Sequence, residues 1–133
     1  MLHEALRNAM SNIPNCIAVG AVDLASGTLL ALQAEEERPQ EMLNVMTSTI
    51  TELFEAPLLE AFSEIYAASP DESPQRGTQF TELLLLNSYH NYLLLRGRKR
   101  PDLAVIVITK KDTSAGLLML KGLAAMPDIE KVL

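Results

Sequence analysis

The sequence predicts an α+β domain: an antiparallel sheet with helices on both faces. Three observations carry this. Leu103-Ala104-Val105-Ile106-Val107-Ile108-Thr109 is a continuous apolar run rich in β-branched residues, bounded by Arg98-Lys99-Arg100-Pro101-Asp102 and Lys110-Lys111-Asp112. A strand with no polar alternation has no wet face, so this one is central and covered on both sides. Two other stretches, Leu2–Ile13 and Gln40–Glu55, carry apolar residues at helical spacing. The remaining apolar runs come as pairs joined by short polar turns, and strands so joined are antiparallel.

Leu2, Ala5, Leu6, Ala9, Met10 and Ile13 recur at i, i+3, i+4 and i+7, with His3, Glu4, Arg7 and Asn8 between them. That spacing makes an amphipathic helix, which Pro14 ends because proline cannot continue the hydrogen-bond ladder. Cys16–Leu24 and Thr28–Gln33 read as two strands. Ala25-Ser26-Gly27 between them is a tight turn, with Gly27 placed to take positive φ, so the pair is a hairpin. Glu35-Glu36-Glu37-Arg38-Pro39 is a polar break, its acidic run suited to the positive N-terminus of the helix that follows.

The helix from Gln40 to about Glu55 is apolar on more than one face. Met42, Met46, Ile50 and Leu53 form one stripe, with Leu43, Val45 and Phe54 to its sides. Leu58, Leu59, Phe62, Ile65 and Tyr66 fit a further helical stripe, and Ala67–Thr78 reads as a loop. Gln79–Asn87 and Asn91–Arg96 are strands joined near Ser88-Tyr89-His90. After the central strand, Asp112 is the expected N-cap of a last, mostly buried helix from Thr113 to about Met126, broken by Pro127.

The 133 residues make one domain, 1–133, and 48% hydrophobic content is enough for a core. A net charge of −6 argues against nucleic-acid binding through phosphate neutralisation. One cysteine excludes an internal disulfide and cannot alone hold a structural zinc. No apolar run reaches the about 20 residues that span a bilayer. Met1-Leu2-His3-Glu4 lacks the basic start of a signal peptide, so the expected setting is cytoplasmic, without membrane contact.

The chain resembles the roadblock/LC7 family, relatives of the longin and profilin folds. The residues carrying the resemblance are Ile13-Pro14-Asn15-Cys16-Ile17-Ala18-Val19-Gly20-Ala21-Val22-Asp23, the Ser26-Gly27 turn with Thr28-Leu29-Leu30, then Glu82–Leu86, Asn91–Leu95 and Val105–Thr109. The resemblance implies a five-stranded antiparallel sheet in the order 2-1-5-4-3. It places the first and last helices on one face and the Gln40–Glu55 helix on the other. It also implies dimerisation through that helix and the third-strand edge, and a role as a scaffold or regulator of Ras-like small GTPases in a bacterium-like cell. Leu58–Tyr66 and the complete final helix depart from the short members of the family.

Candidate chemistry is sparse. Cys16 needs a base and an electropositive setting to act as a nucleophile; it is expected to be a buried core thiol, and His90 an ordinary turn residue. No metal-ligand spacing, G-x-G-x-x-G or Walker sequence is present, so no cofactor and no catalytic residue is expected. The surplus apolar surface of the second helix suits an isologous helix pair, which makes Met42, Val45, Met46, Thr49, Ile50 and Leu53 the expected homodimer interface. Arg96, Arg98, Lys99 and Arg100 form a basic cluster in an otherwise acidic chain, a candidate surface for an acidic partner. The reading is therefore a non-enzymatic homodimeric interaction module. The alternative is a small-ligand sensor with a pocket between sheet and helices.

Overall fold

The computed structural model describes residues 1–56, 61–62, 64–66 and 80–133. Among these, the elements in chain order are α1 (Leu2–Asn12), β1 (Cys16–Asp23), β2 (Thr28–Ala34), α2 (Gln40–Glu55), β3 (Glu82–Leu86), β4 (His90–Arg96), β5 (Leu103–Lys110) and α3 (Ala115–Lys131). The strands form one antiparallel sheet in the order β2-β1-β5-β4-β3, as the family resemblance implies. Residues 61–62 and 64–65 are helical and Tyr66 is in a turn; residues 58–60 and 63 of the expected Leu58–Tyr66 helix and the Ala67–Thr78 loop lie outside the described residues.

β5 is the central strand, and its alternate side chains divide the interior in two. Leu103, Val105 and Val107 enter the core beneath α1 and α3, with Leu6, Val19, Leu93, Leu95, Leu118 and Ile129. Ala104 and Ile106 enter the core beneath α2, with Val22, Leu24, Leu94, Ile50 and Phe54. Both sets need apolar side chains, hence the unbroken hydrophobic run.

The β1–β2 turn is built as its sequence requires. Gly27 has φ +69°, and its N–H donates to the Asp23 carbonyl at 2.8 Å. The Asp23 carboxylate accepts from the Ala25 N–H (3.1 Å) and the Ser26 hydroxyl (3.0 Å), an Asx turn. β2 departs from regularity once: Ala21 pairs with Ala31 and Val22 with Leu29, leaving Leu30 as an extra, bulged residue on this edge strand.

The last helix corrects three expectations. Its N-cap is Ser114, whose side chain accepts from the Leu117 N–H at 3.2 Å, not Asp112. It also runs through Pro127 to Lys131. A proline inside a helix costs about 3 kcal/mol. Past it, Ile129 is 1% exposed in the core, a burial worth about 1.5–3 kcal/mol, and Glu130 binds the β4–β5 turn. These two contacts hold the final turn in register. Nor is α3 mostly buried: Leu118, Gly122, Met126 and Ile129 make one buried face, while Leu120 and Lys121 are exposed.

Candidate interaction surfaces

α2 presents two faces of opposite character. Its inner face seats Ile50 (2% exposed) and Phe54 on the sheet, with Met46 and Leu53 half-buried beside them. Its outer face carries Met42 (58% exposed), Val45 (67%) and Thr49. The hydroxyls of Thr47, Thr49 and Thr51 donate to the carbonyls of Leu43, Val45 and Thr47, so none needs an outside partner. The expected interface stripe is thus divided. Met42, Val45 and Thr49 are available to a partner; Ile50 is not, because it fills the core between α2 and β5.

The two edges of the sheet also differ. β3 pairs in unbroken register with β4, from Glu82 opposite Leu95 to Leu86 opposite Asn91, and among the described residues its other side has no partner strand. Leu85 and Leu86 are exposed on it. A regular apolar edge of this kind is a template for strand addition, whereas the Leu30 bulge on β2 discourages pairing there. Phe62, Ile65 and Tyr66 are exposed as well.

The basic cluster divides in the same way. Arg96 is a buried side chain, 7% exposed, and does not belong to a partner-facing surface. Its Nε donates to the Phe80 carbonyl (3.0 Å), Nη1 to that of Pro101 (3.1 Å) and Nη2 to that of Phe54 (3.1 Å). Its guanidinium also lies 4.9 Å over the Phe54 ring. The fork closes the C-terminal end of α2, whose carbonyls lack intrahelical partners, and ties it to the β4–β5 turn. Arg98, Lys99 and Arg100 remain exposed.

Cys16 lies in the core, as expected, and its Sγ donates to the Ala18 carbonyl at 3.4 Å. Burial pushes its pKa up to about 11, the backbone hydrogen bond opposing and nearby Glu35 assisting. It is therefore a protonated thiol at neutral pH, without nucleophilic character. Because the folded-state value lies above the ordinary thiol value of 9.0, the fold loses stability as pH rises from 9 toward 11, where the unfolded thiol ionises first. The check is denaturant unfolding across that window: Cys16→Ala should show a shallower decline than the parent chain. An identical decline would remove the thiol as its cause.

His90 opens β4 rather than lying in the turn, with its ring edge-on to Tyr92 at 6.1 Å. The β3–β4 turn is closed by Asn87, whose Oδ1 accepts from the N–H groups of Tyr89 and His90, each at 2.8 Å. The acidic run does not cap α2 directly: Glu36 pairs with Arg38 at 3.0 Å, and the first helical turn carries Glu41 instead. Grooves open on both sides of the sheet-bearing core. One of about 370 Å³ lies between the β1–β2 turn and α2, open and lined by polar Gln40, Asn44 and Ser48. Another, about 450 Å³, separates α1 from α3 over a floor that includes Ala5 and Ala9. No group of acidic, histidine or cysteine side chains among the described residues has the spacing of a metal site, and no helix among them is long and apolar enough to cross a membrane.

No protein-family description and no curated protein sequence matches this chain. Solved structures do. Myxococcus xanthus MglB superposes with a TM-score of 0.73 at 14% identity, over 98% of this chain and 93% of that one. An MglB in a tetrameric arrangement gives 0.73 at 12% identity, over 98% and 86%. A roadblock/LC7 domain from Streptomyces avermitilis gives 0.71 at 7% identity, over 97% and 94%.

Proposed function

We propose that this chain, a roadblock/LC7 fold, is a non-enzymatic interaction module that pairs with a second copy of itself. In that form it binds or regulates a Ras-like small GTPase or a related cytoplasmic complex. The observation that carries the pairing is the asymmetry of the sheet edges: a regular, leucine-rich β3 edge against a bulged β2 edge. Two copies meeting about a two-fold axis would continue the sheet through β3. The outer face of α2, with Met42, Val45 and Thr49 at its centre and Met46 and Leu53 at its margins, would then cover its counterpart. Likeness to an MglB in a tetrameric arrangement supports self-association. The GTPase role rests on the fold likeness alone.

Solution mass by light scattering tests the pairing. The parent chain should have twice its sequence mass at micromolar concentration. Val45→Asp, an exposed position that the fold does not need, should become a folded monomer, its association weakened at least about tenfold by a charge at the contact centre. A parent chain that stays monomeric would sink the pairing.

A further inference from the structure

We infer that the β4–β5 turn is a preset docking point for an acidic segment of a partner protein. Its backbone is held at nearly every residue. The Glu130 carboxylate, projecting from the end of α3, accepts three consecutive N–H groups: Arg98 (3.1 Å), Lys99 (2.9 Å) and Arg100 (3.2 Å). Gly97 N–H donates to the Leu103 carbonyl and Leu103 N–H to that of Arg100, each at 2.9 Å. Arg96 holds the Pro101 carbonyl from below, and Leu24 N–H donates to that of Asp102 at 2.7 Å. The turn is so tight that a Cβ on Gly97 would sit 2.3 Å from the Arg100 carbonyl oxygen.

Successive N–H groups converging on one anion form a nest. Here the anion is internal, so the nest fixes the turn instead of receiving a ligand. With the backbone committed inward, the side chains of Arg98, Lys99 and Arg100 are exposed and make no hydrogen bond or ion pair among the described residues. Three adjacent cations on a fixed turn offer carboxylates a site whose ordering cost is already met in the free protein.

The size of the patch selects the partner. Three residues span at most about 10 Å, and the chain around them carries a net charge of −6. A polyanion or an anionic membrane extends far beyond such a patch and meets repulsion from the rest of the surface; lipid-binding clusters use about 4–8 basic residues. A short acidic stretch of protein touches the turn alone. Glu130 is then a positioning residue and does not contact the partner.

The test uses the full chain and a fluorescent oligoglutamate peptide at low salt. The parent should bind it, and added salt should weaken the complex. Arg98→Gln/Lys99→Gln/Arg100→Gln alters only exposed side chains and should cost about tenfold in affinity, as three individually weak exposed pairs allow. Lys110→Gln/Lys111→Gln, at the other end of β5, should cost little. Glu130→Gln is the sharper variant. It removes a negative charge beside three cations, so simple attraction predicts tighter binding; a preset turn predicts weaker binding. Equal or tighter binding by Glu130→Gln would overturn the inference, as would a parent chain that ignores the peptide. Equal losses in the two lysine- and arginine-neutralised variants, or sedimentation with phosphatidylserine vesicles without peptide binding, would overturn it too. The charge-neutralised turn variant keeps the inference testable if Glu130→Gln fails to fold.

Discussion

Ile50→Asp should abolish the cooperative unfolding transition. Ile50 is 2% exposed and packs in the core formed by Val22, Leu24, Phe54, Leu94, Ala104 and Ile106. Truncating a buried isoleucine to alanine costs about 2–5 kcal/mol. A carboxylate in its place adds several kcal/mol of desolvation, and the buried cation beside that core, Arg96, is already committed to three carbonyls. The sum is comparable to the entire stability of a domain of this size, about 5–15 kcal/mol. Five residues earlier on the same helix, Val45 is 67% exposed, and Val45→Asp should change the unfolding free energy by no more than about 0.5 kcal/mol. Circular dichroism through a urea titration checks both. A folded Ile50→Asp chain would mean that α2 is not seated on the sheet as described. The contrast also decides which variant can probe association: a lost dimer in Ile50→Asp would report unfolding, whereas in Val45→Asp it would report the contact itself.

Arg96→Ala should destabilise the fold by about 3–5 kcal/mol, against about 0.5 kcal/mol or less for Arg98→Ala two residues on. The guanidinium serves three carbonyls on three separate segments, Phe54, Phe80 and Pro101. Hydrogen bonds to a charged donor are the strong ones, and deleting the donor leaves half-buried acceptors unpaired. Glu55, whose Oε1 is 3.9 Å from Nη1 and half-exposed, adds little. Arg96→Lys should recover only a small part of the loss, because an ammonium cannot present a planar fork to three diverging acceptors. Urea midpoints with unchanged slopes would measure the difference. Equal midpoints for the Arg96 and Arg98 variants would remove Arg96 as a tie between α2 and the turn.

Parity along β4 was a legible clue to Arg96 that composition concealed. Leu94 faces α2, so Arg96, two residues on, faces it too and meets the carbonyl end of that helix. Grouping it by charge with Arg98, Lys99 and Arg100 set aside its place on the strand. Ile50 fell into the interface stripe for a related reason. On a helix apolar on more than one side, periodicity identifies the faces without saying which one meets the sheet. Pro127 misled because a local cost was met by non-local contacts, the burial of Ile129 and the carboxylate of Glu130 on a turn about thirty residues away in sequence.

By itself the sequence determined what depends on neighbours along the chain. The period-two and period-3.6 apolar patterns placed the described elements within a few residues, apart from the C-terminal end of α3, and the unbroken Leu103–Thr109 run marked the strand buried on both faces. Gly27 marked the one glycine with positive φ among the described residues. The strand order came through the family resemblance rather than from any residue pattern. Only the tertiary structure decided which α2 face is outward, which sheet edge is bulged, which arginine is buried, and that Glu130 holds the basic turn. Each of these turns on residues far apart in sequence meeting in space, where burial and hydrogen-bond satisfaction are set by the partner a group meets, not by its own type.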